Sequence, residues 1–340
     1  MRSLPRREFL SSSFAAGLAL TGVGVRDSHQ TLLAEDQAKS RKDRSSDNQE
    51  PTMPIIDTHQ HLWDLQRFDL PWTNGADAVS LKRSFLPSDY AVATEGLGIV
   101  KTVYMEVDVT ESQRHAEAEY VIDLCSRGET PMVAAVISGP VGTGEFAEYF
   151  NRYQTNDYVK GVRRVLHSPA TPAGYCRKPE FIDDMKLLGK HGKSYDFCMR
   201  AAEIADAIPV VQAAPDTKFI VDHCGNLPVG NQDQKLYDAW KRGMAGLAKL
   251  EKVYCKISGI VASAKKGAWT PDDLAPTINT CAELFGKDRI MFAGDWPVCT
   301  LGADSFAQWL HALQEIVKSW PAEDQRKLFH DNAVKFYGLA

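Results

Sequence analysis

The 340 residues are 44% hydrophobic and 24% charged, the balance of a soluble globular chain with enough apolar material for one large core, which excludes disorder of the whole. The formal net charge is −5; residues 1–53 carry 8 basic and 7 acidic side chains, leaving 31 against 37, or −6, for the remainder. A surface of that sign does not attract phosphate backbones, so no nucleic-acid partner is expected.

At the N-terminus, Pro5-Arg6-Arg7-Glu8-Phe9-Leu10 precedes an uncharged run of small and apolar residues from Ser11 to Val25. Paired arginines ahead of a weakly hydrophobic segment resemble a twin-arginine export signal. Residues 1–25 are therefore expected to be a signal read by the twin-arginine machinery, and the protein to be exported to the periplasm, or held at the membrane where the signal is retained. A run of about 15 residues is too short to span a bilayer, so the mature chain is expected to have no stable span. Residues 26–53, rich in charged residues, Ser and Gln, read as a flexible linker. The seven cysteines are scattered, odd in number and without paired spacing, which points to free thiols.

From residue 54 to 340 the chain alternates short apolar strands with helical stretches. The strand candidates are Ile55–His59, Ile99–Val107, Met132–Ile137, Val159–Leu166, Tyr195–Arg200, Lys218–His223, Val253–Ser258 and Arg289–Gly294. Between them Ala116–Arg127, Glu180–Lys190, Lys235–Lys252 and Ser305–Ser319 have helical periodicity. Parallel neighbours need crossovers, and eight such units at this length close naturally into a single (β/α)8 TIM barrel. An open doubly wound sheet is the competing fold, but no Gly-rich phosphate turn follows the first strand.

Charged and imidazole side chains within such strands are expected to point inward at the C-terminal mouth, because the outer faces are covered by helices. His59 and His61 close the first strand and project to one side, presenting two imidazoles to one cation. His223 ends the sixth strand, and Asp295 leaves the eighth where a carboxylate can reach a central water. Arg163 and His167 share a parity on the fourth strand. Arg200 ends the fifth, Lys256 lies in the seventh with Ser258 two positions on, and Glu106 shares a parity with Asp108 on the second. Together these groups predict a polar, cation-bearing pocket for an oxygen-rich or carboxylated small molecule.

The segments Ile56-Asp57-Thr58-His59-Gln60-His61-Leu62-Trp63-Asp64, Gly161-Val162-Arg163, Asp222-His223, Lys256-Ile257-Ser258-Gly259, Gly294-Asp295-Trp296-Pro297-Val298 and Asn332-Ala333-Val334-Lys335-Phe336-Tyr337-Gly338 resemble, in that order, the lactonase-like branch of the amidohydrolase superfamily. The resemblance runs from Ile55 to Leu339, and the L-fuconolactonases and L-rhamnonolactonases stand in that branch. It implies a hydrolase that opens a cyclic ester, a sugar-acid lactone or similar, with water activated by Asp295 and a carbonyl polarised by a metal or by His and Arg donors. His59, His61, His223 and Asp295 carry over as metal ligands, and Asp295 and His223 as catalytic residues. Arg163, His167, Arg200, Lys256, Glu106 and Trp63 carry over as substrate-binding candidates. No lysine stands within the fourth strand to bridge two ions, since Lys160 precedes Gly161, so one divalent metal is implied, zinc before manganese, with a metal-independent route also open in this branch. Cys224-Gly225-Asn226 and Glu106 depart from the pattern of the branch and leave the sugar open. Two other readings remain, a nonoxidative metal-dependent decarboxylase of the same superfamily and a non-catalytic barrel that binds sugar acids.

Overall fold

A computed structural model describes residues 53–339. The expected signal and all of the expected linker except Met53 lie outside the described residues. Eight parallel strands run in the order β1 (Ile55–Gln60), β2 (Ile99–Met105), β3 (Met132–Ser138), β4 (Val159–Val165), β5 (Ser194–Cys198), β6 (Lys218–Val221), β7 (Val253–Ile257) and β8 (Ile290–Phe292). Helices cross over between them, as parallel pairing requires, and the result is a nearly closed (β/α)8 barrel.

The strands form where the sequence pattern places them, but several stop early. The expected sixth strand reached His223 and the fifth Arg200; the ladders end at Val221 and Cys198. Asp222 keeps an extended backbone, and His223 and Cys224 then turn into the left-handed region at φ +55° and +51°. Residues at the mouth leave the ladder because their backbone is re-aimed to present side chains, at a conformational cost of about 1–3 kcal/mol each.

Helical stretches are confirmed at Arg114–Arg127, Pro179–Lys190, Gln234–Ala248 and Phe306–Val317. Pro271–Phe285 adds a long helix with Pro at its first position, started by Asp273, whose carboxylate accepts from Thr270 N–H and from the Thr270 hydroxyl. Among the described residues no helix is long and apolar enough to cross a membrane. All seven cysteines are buried free thiols.

Side-chain alternation splits the core in two. Outward residues such as Val162, Tyr195, Phe197, Phe219, Val221, Cys255 and Ile257 meet the helices in one large cluster, while Ile56, Val103, Ala134, Val136, Ile220 and Met291 fill the barrel with Phe336 and Tyr337 of the final helix. The seam between β8 and β1 is closed at the mouth. There Asp295 N–H donates to His59 O at 2.9 Å and His61 N–H to Trp296 O at 2.8 Å. Asp57 Oδ1 accepts from Gly294 N–H at 2.7 Å. Gly294 is required here, since a Cβ would lie 2.5 Å from Asp57 Oδ2 and 2.4 Å from the Phe306 ring.

Candidate active site

β1 shows how the chain turns polar groups inward. Ile55 packs outward with the helices, and Asp57 is held outside by the Tyr90 hydroxyl at 2.8 Å, so strict alternation would put His59 outside too. The register of β1 on β2 shifts between Asp57 and Gln60. Such an irregularity re-aims the side chains beyond it, and His59 and His61 both enter the mouth.

Four donor atoms meet there. The Nε2 atoms of His61, His59 and His223 lie 3.4, 3.7 and 3.9 Å from Asp295 Oδ1. Each imidazole is held by its other nitrogen. His61 Nδ1–H donates to Met105 O at 2.9 Å, His223 Nδ1 is bonded to Ser258 Oγ at 2.9 Å, and His59 Nδ1 lies 3.5 Å from Asp222 Oδ1. The Met105 carbonyl sets the His61 tautomer, and the three Nε2 atoms converge on Asp295 Oδ1. Gly259 makes room for one of them, because a Cβ there would lie 2.2 Å from His223 Nδ1. Burial holds His59 well below the usual imidazole range and lowers His223 also, so both rings are neutral at pH 7.

The floor beneath is an ionic network sealed from solvent. Arg163 donates through Nε to Glu106 Oε1 at 2.6 Å and through Nη2 to Glu106 O at 2.7 Å, and its Nη1 lies 3.4 Å from Asp222 Oδ2. Lys256 Nζ donates to Asp196 Oδ2 at 2.5 Å and lies 3.2 Å from Asp222 Oδ1. Burial opposes the charge on Asp222, but Lys256 and His59 outweigh it and hold the carboxyl well below its usual range. Burial likewise opposes the Lys256 charge, which Asp196 and Asp222 restore. Asp222 and Lys256 are therefore charged, whereas burial pushes the Asp196 carboxyl up to about 7 against the pull of Lys256, and the network fixes His59 from below.

His59, His61 and Asp295 fit a single cation. A metal bonded at about 2.1 Å to four tetrahedral donors sets the donors about 3.4 Å apart, close to the 3.4–3.9 Å found around Asp295 Oδ1. His59, His61 and Asp295 form one group able to hold an ion, and His59, Asp222 and His223 form another that shares His59. Asp222 Oδ1 is buried without a hydrogen bond; it faces His59 Nδ1, the usual place of a carboxylate behind a metal-bound histidine. Arg163 Nη1 lies 3.2 Å from His59 Nε2, so that nitrogen serves either a cation or the guanidinium.

Above the cluster opens a cavity of about 430 Å³. His61, His223, Asp295, Arg163 and His167 line it, so the two same-parity residues of the β4 region face one space. Four expected substrate contacts do not reach that space. Trp63 is fully buried, with its indole N–H given to Arg83 O and its ring packed on Phe85 and Trp72; the indole in the cavity wall is Trp72. Lys256 and Glu106 are consumed by the floor. Arg200 turns to Ser168 O and Thr171 O at 2.6 and 2.7 Å and lines a neighbouring surface depression with His167. The expected cation-bearing pocket is corrected accordingly. Arg163 and Lys256 are spent on buried carboxylates, and Arg200 on backbone carbonyls. Asp196 was missed by the sequence reading; its inward parity two residues before Cys198, which lines the cavity, was the available signal.

The amidohydrolase family model matches residues 56–339. The chain is 25% identical over 297 residues to an L-fucono-1,5-lactonase of Burkholderia multivorans, covering 84% of this chain and 96% of that one. To an L-rhamnono-gamma-lactonase of Scheffersomyces stipitis it is 22% identical over 334 residues, covering 84% and 98%. The fold is shared with a zinc-bound amidohydrolase crystal structure from Burkholderia multivorans at a TM-score of 0.75 and 23% identity, over 84% of this chain and all of that one. With the family model spanning the whole barrel, the chain belongs to the amidohydrolase family.

Proposed function

We propose that the protein hydrolyses a lactone, a cyclic ester of a sugar acid or a similar molecule, at the mouth of the barrel. The observation that carries this reading is the convergence of three imidazole Nε2 atoms on Asp295 Oδ1 at the base of the cavity. The similarity to proteins named as lactonases supports it.

Asp295 takes a proton from water as the water oxygen bonds to the ester carbon; the ring C–O bond then breaks, and the same proton returns to the departing alkoxide. The products are a carboxylic acid and a hydroxyl on one chain, and ionisation of the acid releases one proton per turnover near neutral pH. His61 and His223, held through Nδ1, present Nε2 to the centre of the mouth as ligand atoms for a cation, and the Arg163 guanidinium adds a positive field beside His59. A divalent cation held by His59, His61, His223 and Asp295, zinc before manganese, would supply Lewis-acid polarisation of the carbonyl. Buried Asp222, Lys256 and Asp196 hold His59 in place and touch no substrate.

A pH-indicator screen of purified protein against aldonolactones, with and without added zinc or manganese, tests the reading. Acid release is expected, and an Asp295→Asn variant should lose about 10³-fold of it while unfolding at the wild-type temperature. No acid from any lactone in metal-loaded protein would sink hydrolysis; carbon dioxide from an aromatic acid would install decarboxylation instead. Ligand binding unchanged in the variant, with no turnover in either protein, would leave a sugar-acid-binding barrel.

Export through the twin-arginine route to the periplasm belongs to the same proposal and is supported by the Arg6-Arg7 segment. An Arg6→Lys, Arg7→Lys double variant should then accumulate in the cytoplasm of fractionated cells.

A further inference from the structure

Asp108 is unlike the other carboxylates of the site. It follows β2 with a left-handed backbone at φ +51°, a conformation that Asp and Asn tolerate better than other side-chain-bearing residues. Its own N–H is tied to Glu106 Oε2 at 2.7 Å, which fixes its direction. Its half-buried side chain lines the cavity, and among the described residues no protein donor is bonded to its carboxylate. Burial and the neighbouring Glu106 raise it to about 6, against the pull of Arg163, Arg114 and Arg164, so it is still ionised at pH 7.

On the cavity wall that charge is offset only in part, by Arg163. Arg163 is the cationic side chain of the lining, and its N–H groups are given to Glu106, with Asp222 and His59 close to the rest. Lys256 is sealed in the floor and Arg200 is turned away. The rest of the wall is largely apolar, with Trp72, Val107, Val165 and Val298. Away from the histidines, a carboxylate on the substrate would find no free cationic side chain on that wall, and at Asp108 a like charge.

We propose that Asp108 selects the substrate, accepting a hydrogen bond from a hydroxyl of an uncharged lactone and turning away lactones that carry a carboxylate. This rests on the hydrolytic reading above. The same charge acts on the product: opening a neutral ring creates a carboxylate, and Asp108 adds a repulsion that hastens its release.

The test uses pairs of lactones of one configuration, gluconolactone with glucarolactone and galactonolactone with galactarolactone. Within each pair a carboxylate replaces the terminal hydroxymethyl group. Wild-type protein and an Asp108→Asn variant, which keeps the left-handed preference, are compared by proton release and by calorimetric binding. The wild type should favour the neutral member of the pair. In the variant kcat/KM for the carboxylated member should rise about 10-fold, and inhibition by the hydroxy-acid product should tighten. Raising salt from 50 to 500 mM should lower KM for the carboxylated member in the wild type and leave the neutral one unmoved, a readout that does not depend on the variant folding. Equal use of both members by the wild type, or an unchanged ratio in the variant, overturns the proposal. Absence of turnover for every lactone sinks the hydrolytic reading alone, because the binding of each pair to the two proteins still decides what Asp108 does.

Discussion

The two halves of the barrel interior are built from opposite materials. Toward the N-terminal ends of the strands, Ile56, Val103, Ala134, Val136, Ile220 and Met291 interlock and are covered by Phe336 and Tyr337. Toward the C-terminal ends, the same inward positions carry Arg163, Asp196, Asp222, Lys256 and then the histidines. The lower half gains from leaving water. The upper half loses by it and holds together only because each charge has a counter-charge within reach. The lower half thus supplies stability, and the upper half uses it to hold imidazoles and a half-buried carboxylate in fixed positions.

The comparison can be broken first at Lys256. Lys256→Met leaves Asp196 and Asp222 buried without their cation, and urea unfolding should show a loss of about 3–5 kcal/mol. Turnover should fall as well, since Asp222 orients His59. If the variant is as stable as wild type, the upper half is not held by charge pairing.

Met291→Ala is the matching cut in the lower half. A fully buried side chain replaced by a cavity should cost about 2–4 kcal/mol in the same assay. KM and kcat at temperatures below unfolding should be unchanged, because Met291 belongs to the apolar filling below the site. A changed KM would mean that the halves are mechanically coupled.

The smallest expected effect sharpens the comparison with pH. Glu117 is buried beside the mouth and accepts from Val107 N–H, Tyr104 and Ser138. Burial, then Glu106, raise its carboxyl from 4.5 to about 7. The folded state therefore holds this proton more tightly than the unfolded state does. Its contribution is fully present below pH 4.5 and is lost as pH rises through 7. In Glu117→Gln that loss is absent, so the stability difference between variant and wild type should shift by about 1–2 kcal/mol in favour of the variant between pH 5 and pH 8. Parallel stability curves for the two proteins would refute the assignment.

Much of the fold was legible because strand and helix periods are local. Each of the eight strands lies where a short apolar run was expected, and helices form at Arg114–Arg127, Pro179–Lys190, Gln234–Ala248 and Phe306–Val317, where helical periodicity was read. His59, His61, His223 and Asp295 were legible as a group because each stands at a strand end, and the structure brings their side chains together. Lys256 and Glu106, expected at the cavity from their places on the strands, are turned to buried partners instead. Parity tells which face of a sheet a side chain takes, but not whether a buried partner has already claimed it.

The sequence by itself determined the alternation of strands and helices, the barrel that follows from it, and the residue types gathered at the mouth, since all of these follow from periodicity and position along the strand. Tertiary structure alone decided which charges remain free. The register shift in β1, the left-handed turns at Asp108, His223 and Asp295, and the pairing of Arg163 with Glu106 and of Lys256 with Asp196 join residues 57 and 60 positions apart. Such pairings are settled by the closing of the barrel, where the loss of hydration makes every buried charge seek a partner, and only Asp108 and Asp295 are left as carboxylates facing the cavity.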